Sequence, residues 1–248
     1  LKRVGPSGSW RVLVHDVRRD AAEAMAKESR ATACSFEELM EQSDIVVLAL
    51  KPQILPSMYA RLRTYEKRAW ISMAAGVSLE TLAASLGTHE VARIMPNIAA
   101  EVGKSVTAVS VHPESSDSLG PMVMDFAGTF GSAHLLDERH FGAFIGVAGS
   151  AIATAFEFLH GIAMGGVHEG LPYATALSLI SDTVESATEL VRKTGRHPQE
   201  LLTQVCSPAG LTVKTMQVLY ENGFSGTLME SVEAASQGAL MMEEQAKH

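Results

Sequence analysis

The sequence has very little cysteine. Cys34 and Cys206 are the only two among 248 residues, and they lie far apart. That spacing predicts neither a disulfide framework nor a cysteine-rich metal site. Low cysteine content is typical of a reducing compartment, and we recognise no signal-peptide pattern, so we expect a cytoplasmic protein. We interpret Cys34 as a core residue and Cys206 as a packed thiol, because no histidine or acid stands in a motif with it.

The sequence also has fewer basic residues than acidic ones. Lysine and arginine total 20 against 28 aspartates and glutamates, which gives a net charge of −8. Because no basic cluster offsets this balance, we expect no nucleic-acid partner. Hydrophobic residues make up 46% of the chain, a proportion typical of globular proteins rather than disordered ones.

Long apolar runs and clusters of metal ligands are missing as well. The best candidate for a membrane span, residues 145–162, is interrupted by glycine and polar residues, so we predict no transmembrane helix and no membrane partner. His160 and His168 flank a glycine-rich segment, but no third ligand accompanies them. We therefore predict no metal site.

Strand and helix patterns alternate over the first part of the chain. The predicted strands are residues 10–16, 44–50, 69–73, 91–95, 105–111 and 131–136. The predicted helices are residues 21–28, a short helix that Ser35 opens with a capping signal, and residues 51–65, 78–86 and 116–127. This alternation predicts βαβ units and a Rossmann-like, doubly wound parallel sheet, which we assign to residues 1–136.

Residues suited to binding follow four of these strands. They are Asp16, Lys51-Pro52, Ala75-Gly76 and Pro96-Asn97, and ligands of such sheets bind at the carboxyl ends of the strands. We therefore expect a binding edge. Lys51 fits two interpretations equally, as a neighbour of a cofactor or as a cation at the start of a helix.

The residues after the first strand give conflicting signals about the type of dinucleotide. An acidic side chain such as Asp16 can accept a hydrogen bond from the ribose 2′-hydroxyl of NAD, whereas nearby arginines can hold the 2′-phosphate of NADP. Arg18 and Arg19 follow Asp16 directly. The residues alone leave both cofactors open.

The second part of the chain, residues 137–248, is predicted to be an all-helical domain. The predicted helices are residues 141–160, 172–194, 198–205, 208–221 and 228–246, separated by glycine-rich or polar joints at 161–170, 195–197 and 222–226. Small residues are frequent in these helices and allow close packing. We expect a homodimer that shares this helical core.

Residues 207–212, Ser207-Pro208-Ala209-Gly210-Leu211-Thr212, predict the start of a helix that could hold an anion. Ser207 would be the N-cap and Pro208 the first helical residue. The backbone N–H groups of Ala209, Gly210 and Leu211 would then face outward and bind a carboxylate or a phosphate. Thr212 adds a hydroxyl beside them. The alternative is an ordinary capped helix without a ligand.

Four motifs, taken in their order along the chain, resemble those of the pyrroline-5-carboxylate reductase family. They are Ala49-Leu50-Lys51-Pro52-Gln53, Ser72-Met73-Ala74-Ala75-Gly76, Arg93-Ile94-Met95-Pro96-Asn97 and the stretch at 207–212. The likeness extends over nearly the whole chain. It implies reduction of 1-pyrroline-5-carboxylate to L-proline, the last step of proline biosynthesis, with NADPH favoured and NADH as the alternative cofactor.

The same resemblance assigns roles to particular residues. Thr212 would donate a hydrogen bond to the imine nitrogen or relay a proton to it, and so counts as catalytic. The residues implied in substrate binding are Ser150, Ser207, Ala209, Gly210, Leu211 and Thr212. Those implied in cofactor binding are Asp16, Arg18, Arg19, Ala49, Leu50, Lys51, Pro52, Ala75, Gly76 and Asn97. The family also suggests a ring of dimers as the larger assembly.

The chain departs from the family pattern in several places. Gly5-Pro6-Ser7-Gly8 is followed by a strand and is not the family's glycine-rich phosphate loop, so either the first βα unit is missing from this chain or cofactor binding has been lost. Ile98-Ala99 replaces Thr-Pro, and residues 149–154 replace Gly-Ser-Gly-Pro-Ala-Tyr. Two alternatives therefore stay open: a reductase or dehydrogenase of another small imine or hydroxy acid, and a non-catalytic structural homologue.

Overall fold

The computed structural model describes residues 10–65 and 68–245. The chain divides into two compact units. The sheet unit comprises Leu1–Gly149 and Ala234–His248, and the helical unit comprises Ser150–Glu233. The segment at residues 5–8 lies outside the described residues.

The described residues of the sheet unit form two sheets. A small parallel sheet pairs β1 (Leu13–Val14) with β2 (Thr32–Ala33), a strand that the sequence pattern did not predict. A five-stranded sheet follows in chain order: β3 (Ile45–Leu48), β4 (Ala69–Ser72), β5 (Val91–Met95), β6 (Ser105–Val111) and β7 (Gly131–Leu135).

The Rossmann-like parallel arrangement is confirmed for β3, β4 and β5, but the expectation of a wholly parallel sheet is wrong at β6. That strand runs antiparallel to β5 and parallel to β7. The link from β5 to β6 contains only one short 3₁₀ turn, Ile98–Val102. A parallel crossover needs about a dozen residues or more, so a link of this length favours an antiparallel return.

The described part of the sheet unit contains the helices α1 (Arg19–Glu28), α2 (Phe36–Gln42), α3 (Leu55–Leu62), α4 (Leu79–Leu86), α5 (Leu119–Gly128) and α6 (Phe141–Phe144). The capping box at Ser35 is confirmed, and so is the cap at Ser78. The predicted start of α3 at Lys51 is wrong. The backbone first makes a turn there, in which Ile54 N donates to Lys51 O at 2.9 Å.

Both faces of the five-stranded sheet are covered by buried side chains. Successive residues of a strand point to opposite faces. In β4, Trp70 belongs to a cluster with residues of α2, α3 and α4, whereas the adjacent Ile71 belongs to a second cluster with residues of α5. The sheet unit is therefore a three-layer structure with its core on both sides of the sheet.

The helical unit and its flanks are built from a π-helix (Ile145–Ser150) and five α-helices: α7 (Ala151–His168), α8 (Tyr173–Thr194), α9 (Pro198–Val205), α10 (Leu211–Glu221) and α11 (Phe224–Gln245). The end of α11 belongs to the sheet unit. Because α11 begins at Phe224, the predicted joint at 222–226 is shorter than expected. Ala246, the predicted end of this helix, lies outside the described residues.

The predicted joint at 161–170 is wrong, because α7 runs through three glycines as far as His168. One of them has a packing role. A Cβ at Gly166 would lie 2.9 Å from the Cβ of Ala176 in α8, so glycine allows these two helices to approach closely. Tertiary packing here outweighs the low helix propensity of glycine.

Burial in the helical unit is slight. Among its described residues only Ala163 and Ala176 are buried. Large apolar side chains such as Phe156, Leu179 and Met229 are 57%, 54% and 73% exposed. The helical run Glu138–His168 is long and apolar enough to cross a membrane by length and composition, with 11% of its most apolar window buried. One such helix is weak evidence for a span, so the absence of a transmembrane helix stays a prediction.

Candidate functional site

Three of the segments expected at the binding edge follow three neighbouring parallel strands. Lys51-Pro52 follows β3, Ala75-Gly76 follows β4 and Pro96-Asn97 follows β5. The carboxyl ends of parallel strands lie at one edge of a sheet, which places these segments along that edge. Asp16 follows β1, which belongs to the separate two-stranded sheet.

The start of α1 carries the residues expected to distinguish NAD from NADP. Asp16 Oδ1 accepts a hydrogen bond from Arg18 N at 2.8 Å, so this carboxylate stabilises the first turn of the helix. Arg19 Nε donates to Glu23 Oε1 at 2.8 Å. No ion pair engages the Arg18 guanidinium within the part of the chain that the structure describes. All three predicted residues are exposed, and Arg18 is the cation available to an anion at this helix start.

The segment after β3 presents a mixed set of groups. Ala49 and Lys51 are exposed and Pro52 is half-buried. Leu50, by contrast, packs against the hydrophobic cluster that contains Leu48 and Leu55. The side chain of Leu50 therefore belongs to the core, and only its backbone could take part in binding. Lys51 is the one cation of the predicted set that follows a strand of the five-stranded sheet.

Gly76 has a packing role that the sequence did not reveal. It is buried and adopts a φ of +77°, which favours glycine. A Cβ at this position would lie 3.0 Å from the carbonyl oxygen of Met242, near the end of α11. Glycine therefore lets the last turns of the chain approach the loop after β4. Ala75, beside it, is half-buried.

Arg93, in the middle of β5, was not predicted as an important side chain. It is 2% exposed, and its guanidinium donates to Glu138 Oε1 at 2.5 Å and to Glu243 Oε1 at 3.1 Å. Glu138 Oε1 also accepts from Leu79 N at 2.7 Å, at the start of α4. Arg93 thus links β5, α4 and the end of α11. The available signal was a single charged residue inside the apolar strand Val-Ala-Arg-Ile-Met.

Asn97 uses its side chain within the protein. Its Nδ2 donates to Ala148 O at 3.1 Å, and its Oδ1 accepts from Ala99 N at 3.2 Å and from Val106 N at 3.4 Å. The backbone N–H of Asn97 donates to Ser105 Oγ at 3.1 Å. Most of the hydrogen-bonding capacity of this amide is therefore occupied.

The stretch at 207–212 differs from its prediction in local structure. The helix α10 begins at Leu211 with Gly210 as its N-cap, so Ser207 is not the cap and Pro208 is not the first helical residue. Residues 207–210 form a turn in which Gly210 N donates to Ser207 O at 3.0 Å. Ala209 occupies the third position of this turn with a φ of +58°, a conformation that suits glycine in a type II turn.

This change moves the N–H groups that are available to a ligand. The N–H of Gly210 is used in the turn, whereas Leu211, Thr212 and Val213 now open the helix. No side chain caps this helix start. The anion site predicted from the sequence therefore shifts by a few residues towards Thr212, which is half-buried. A Cβ at Gly210 would lie 2.4 Å from the Ser207 hydroxyl and 3.0 Å from the Ser207 carbonyl oxygen, so the turn is tightly packed here.

The remaining candidates are explained by local contacts. Ser150 is exposed and ends the π-helix. His160 Nδ1 lies 3.0 Å from the Tyr173 hydroxyl, and no group of three or more potential metal ligands occurs among the described residues. Burial raises the pKa of the Cys34 thiol, which lowers its reactivity.

Comparisons with known proteins match this arrangement over most of the chain. Residues 138–242 match the family model described as pyrroline-5-carboxylate reductase dimerisation, and residues 2–76 match the model described as NADP oxidoreductase coenzyme F420-dependent. The pyrroline-5-carboxylate reductase of Aquifex aeolicus is 33% identical over 94% of this chain and 88% of its own length. That of Arabidopsis thaliana is 35% identical over 88% of this chain and 79% of its own length.

Solved structures give the same match in three dimensions. The 1-pyrroline-5-carboxylate reductase of Streptococcus pyogenes has a TM-score of 0.82 at 29% identity, covering 92% of this chain and 88% of that one. The Plasmodium falciparum pyrroline carboxylate reductase, solved with NADP bound, has a TM-score of 0.80 at 26% identity. The match covers 87% of this chain and 83% of that one.

Proposed function

Because the chain belongs to the pyrroline-5-carboxylate reductase family, we propose that it reduces 1-pyrroline-5-carboxylate to L-proline with NADPH, the last step of proline biosynthesis. The observation that carries this proposal is the likeness to reductases of that name at 33% and 35% identity over most of both chains. The motifs expected from the sequence fall on the strand ends of the sheet unit and on the start of α10 in the helical unit.

When bound, NADPH supplies the hydride that reduces the imine carbon. The residues of the sheet unit fit such a dinucleotide, because α1 starts with exposed Arg18 and three candidate segments follow neighbouring parallel strands. Arg18 would hold the 2′-phosphate. Ala49, Lys51, Pro52 and Ala75 would line the binding edge. Asp16 and Arg19 would support the start of α1 through the bonds that they already make.

On the substrate side, we assign the carboxylate to the uncapped start of α10. The N–H groups of Leu211, Thr212 and Val213 lie in the first turn, where the helix dipole favours an anion. The Thr212 hydroxyl would donate a hydrogen bond to the imine nitrogen, or relay a proton to it, as that nitrogen becomes an amine. Ser150, Ser207, Ala209 and Gly210 would shape the surroundings of this site.

We assign dinucleotide binding to residues 1–136 and substrate binding and dimerisation to residues 137–248. The match of residues 138–242 to a dimerisation model supports a homodimer through these helices, and so does the exposure of their apolar side chains. A ring of dimers is the larger assembly that we propose. Cysteine scarcity and the net charge of −8 support a cytoplasmic enzyme without a nucleic-acid partner, and we propose no membrane partner.

Steady-state assays of the wild type, Thr212→Ala and Thr212→Ser with pyrroline-5-carboxylate and NADPH test this function. Loss of one hydrogen-bond donor at the reacting group should lower kcat by about a hundredfold in Thr212→Ala, while Thr212→Ser retains most of the activity. The dissociation constant of NADPH should not change. Thr215→Ala is the matched control, because Thr215 donates to Leu211 O within the same helix.

Two results would contradict these assignments. A Thr212→Ala variant with the kcat of the wild type would remove the role of Thr212. A wild-type protein that neither oxidises NADPH with this substrate nor gains thermal stability from NADPH would instead support a non-catalytic homologue. The cofactor preference is tested separately: Arg18→Ala should raise KM for NADPH much more than KM for NADH, and equal effects would rule out the phosphate contact.

Reduction of another small cyclic imine is the second candidate function. Ala209 and Leu211 favour it, because they differ from the family motif at the proposed substrate site and the Leu211 side chain is 82% exposed there. Assays with the six-membered homologue of the substrate distinguish the two functions. A higher kcat/KM for that homologue would favour this second function.

A further inference from the structure

A side chain at the binding edge is bonded to an unusual helix. Asn97 ends the Met-Pro-Asn segment after β5, and its Nδ2 donates to the carbonyl oxygen of Ala148 at 3.1 Å. Ala148 lies within the π-helix Ile145–Ser150 and packs against a cluster formed by Ala108, Phe141 and Phe144. The hydrogen bond joins residues 51 positions apart in the sequence.

π-Helices are rare, and they occur frequently at functional sites. Their backbone bonds run from residue i to i+5, so the hydrogen-bonding pattern changes where a π-helix meets an α-helix. Ala148 lies just before such a change, because α7 begins at Ala151. A side-chain donor bonded to the Ala148 carbonyl therefore affects whether the backbone follows the π-helical or the α-helical hydrogen-bonding pattern at this point.

The other bonds of Asn97 fix the position of this donor. Its Oδ1 accepts from Ala99 N and from Val106 N. The amide is thus held by the 3₁₀ turn after β5 and by the start of β6. Because these two elements hold the Asn97 side chain, its Nδ2 group ties the π-helix to the 3₁₀ turn and to β6.

We propose that Asn97 is a positioning residue, which holds the π-helix in place and thereby sets the position of Ser150, rather than a contact for the cofactor. Ser150 ends the π-helix and lies two residues after Ala148. The proposal rests on the assignment of Ser150 to the substrate site in the proposed function. It reassigns a residue that the family resemblance grouped with the cofactor.

The variant Asn97→Asp tests this role selectively. Aspartate retains an oxygen for Ala99 N and Val106 N, but it has no N–H to donate to Ala148 O. Ser105→Ala is the matched control, because it removes the acceptor of Asn97 N in the same neighbourhood without touching the π-helix. Asn97→Ser is a second variant, since its short hydroxyl can still accept from Ala99 N but does not reach Ala148 O.

Amide hydrogen exchange of residues 145–150 gives a readout that does not depend on activity. Loss of one hydrogen bond should raise exchange there by about five- to tenfold in Asn97→Asp and Asn97→Ser, but not in Ser105→Ala. In steady-state assays the two Asn97 variants should raise KM for pyrroline-5-carboxylate or lower kcat by about the same factor. The dissociation constant of NADPH should stay within about twofold.

Three results would overturn the proposal. One is weaker NADPH binding in Asn97→Asp with unchanged exchange, which would make Asn97 a cofactor contact. Another is an equal rise in exchange in Ser105→Ala, which would indicate general loosening. The third is increased exchange without any change in the kinetics. If the wild type has no activity with this substrate, the proposed function fails, whereas the exchange experiment still tests the bond between Asn97 and the π-helix.

Discussion

The two units of the molecule differ in how they bury apolar side chains. The sheet unit has hydrophobic clusters on both faces of its main sheet, with side chains such as Leu55, Ile71 and Val109 fully buried. The helical unit buries only Ala163 and Ala176 among its described residues. One unit has a core of its own, whereas the large apolar side chains of the other are mostly exposed. We propose that a second copy of the chain, not a membrane, covers the exposed apolar side chains of α7, such as Phe156 and Ile162.

Substitution of an exposed apolar residue of the helical unit should have the largest effect. Phe156, in α7, is 57% exposed. If it lies in a dimer interface, Phe156→Asp places an unpaired carboxylate in an apolar surrounding twice per dimer. We expect the free energy of dimerisation to become less favourable by about 4 kcal/mol or more, which raises the dissociation constant of the dimer about a thousandfold. Sedimentation velocity over a range of protein concentrations measures this change.

Met25→Asp is the control for that prediction. Met25 lies on a helix of the sheet unit and is 48% exposed, yet the sheet unit has its own core and needs no partner there. The dimer of the Met25→Asp variant should be as stable as the dimer of the wild type. Equal dissociation of the two variants would contradict the contrast between the units, as would a Phe156→Asp protein that remains dimeric.

The second prediction concerns the buried arginine of the sheet unit. Arg93→Ala leaves Glu138 and Glu243 without their cation and removes a guanidinium that lies 4.9 Å from the centre of the Phe141 ring. Breaking a buried ion pair costs about 3–5 kcal/mol. Because both glutamates are partly exposed, we expect a loss somewhat below this range, about 2–3 kcal/mol of unfolding free energy. Urea unfolding monitored by tryptophan fluorescence reports on the sheet unit, since Trp10 and Trp70 both lie in it.

Glu243→Gln is the milder companion of this variant. This variant leaves the ion pair of Arg93 with Glu138 intact and keeps a hydrogen-bond acceptor at position 243. The free energy of unfolding should therefore fall by about 1 kcal/mol or less. If Arg93→Ala were no less stable than Glu243→Gln, the arginine would not be holding these elements together.

The third prediction uses the turn before α10. Ala209 adopts a φ of +58°, which costs an L-residue about 1–2 kcal/mol relative to glycine. Ala209→Gly should therefore raise the free energy of unfolding by about 0.5–1 kcal/mol, after the greater freedom of glycine in the unfolded chain is taken into account. Ala187→Gly, inside α8, should lower it by about 1 kcal/mol. Two changes of the same sign would contradict the left-handed conformation of Ala209.

Features that depend on neighbouring residues were predicted well from the sequence. The capping box of Ser35 and Glu38 and the cap at Ser78 are both present, because side chains three residues apart decide them. The start of α10 was placed too early. Pro208 is compatible with the first turn of a helix and also with the second position of a β-turn, and residue type alone does not separate these two structures.

Features that depend on distant contacts were missed. Arg93 pairs with residues 45 and 150 positions away, and no local pattern identifies such partners. The helix α7 continues through Gly166 because Ala176 packs against it, and that contact is known only once the fold is known. The roles of the candidate site residues stay predictions, because they concern ligands and a second copy of the chain.

The smallest expected effect lies at the start of α2 and concerns pH. Glu38 accepts a hydrogen bond from Ser35 N at 2.9 Å, and this bond lowers the pKa of the Glu38 carboxyl. A lowered folded-state pKa contributes stability above the unfolded value, about 4.3, and that stability is lost as the pH falls through the folded-state value. Glu38→Gln keeps an acceptor but cannot titrate. The wild type should therefore exceed this variant in melting temperature at neutral pH, and the difference should shrink below about pH 4. A difference that is constant from pH 7 to pH 3 would show that the charge of Glu38 adds nothing to its role as a cap.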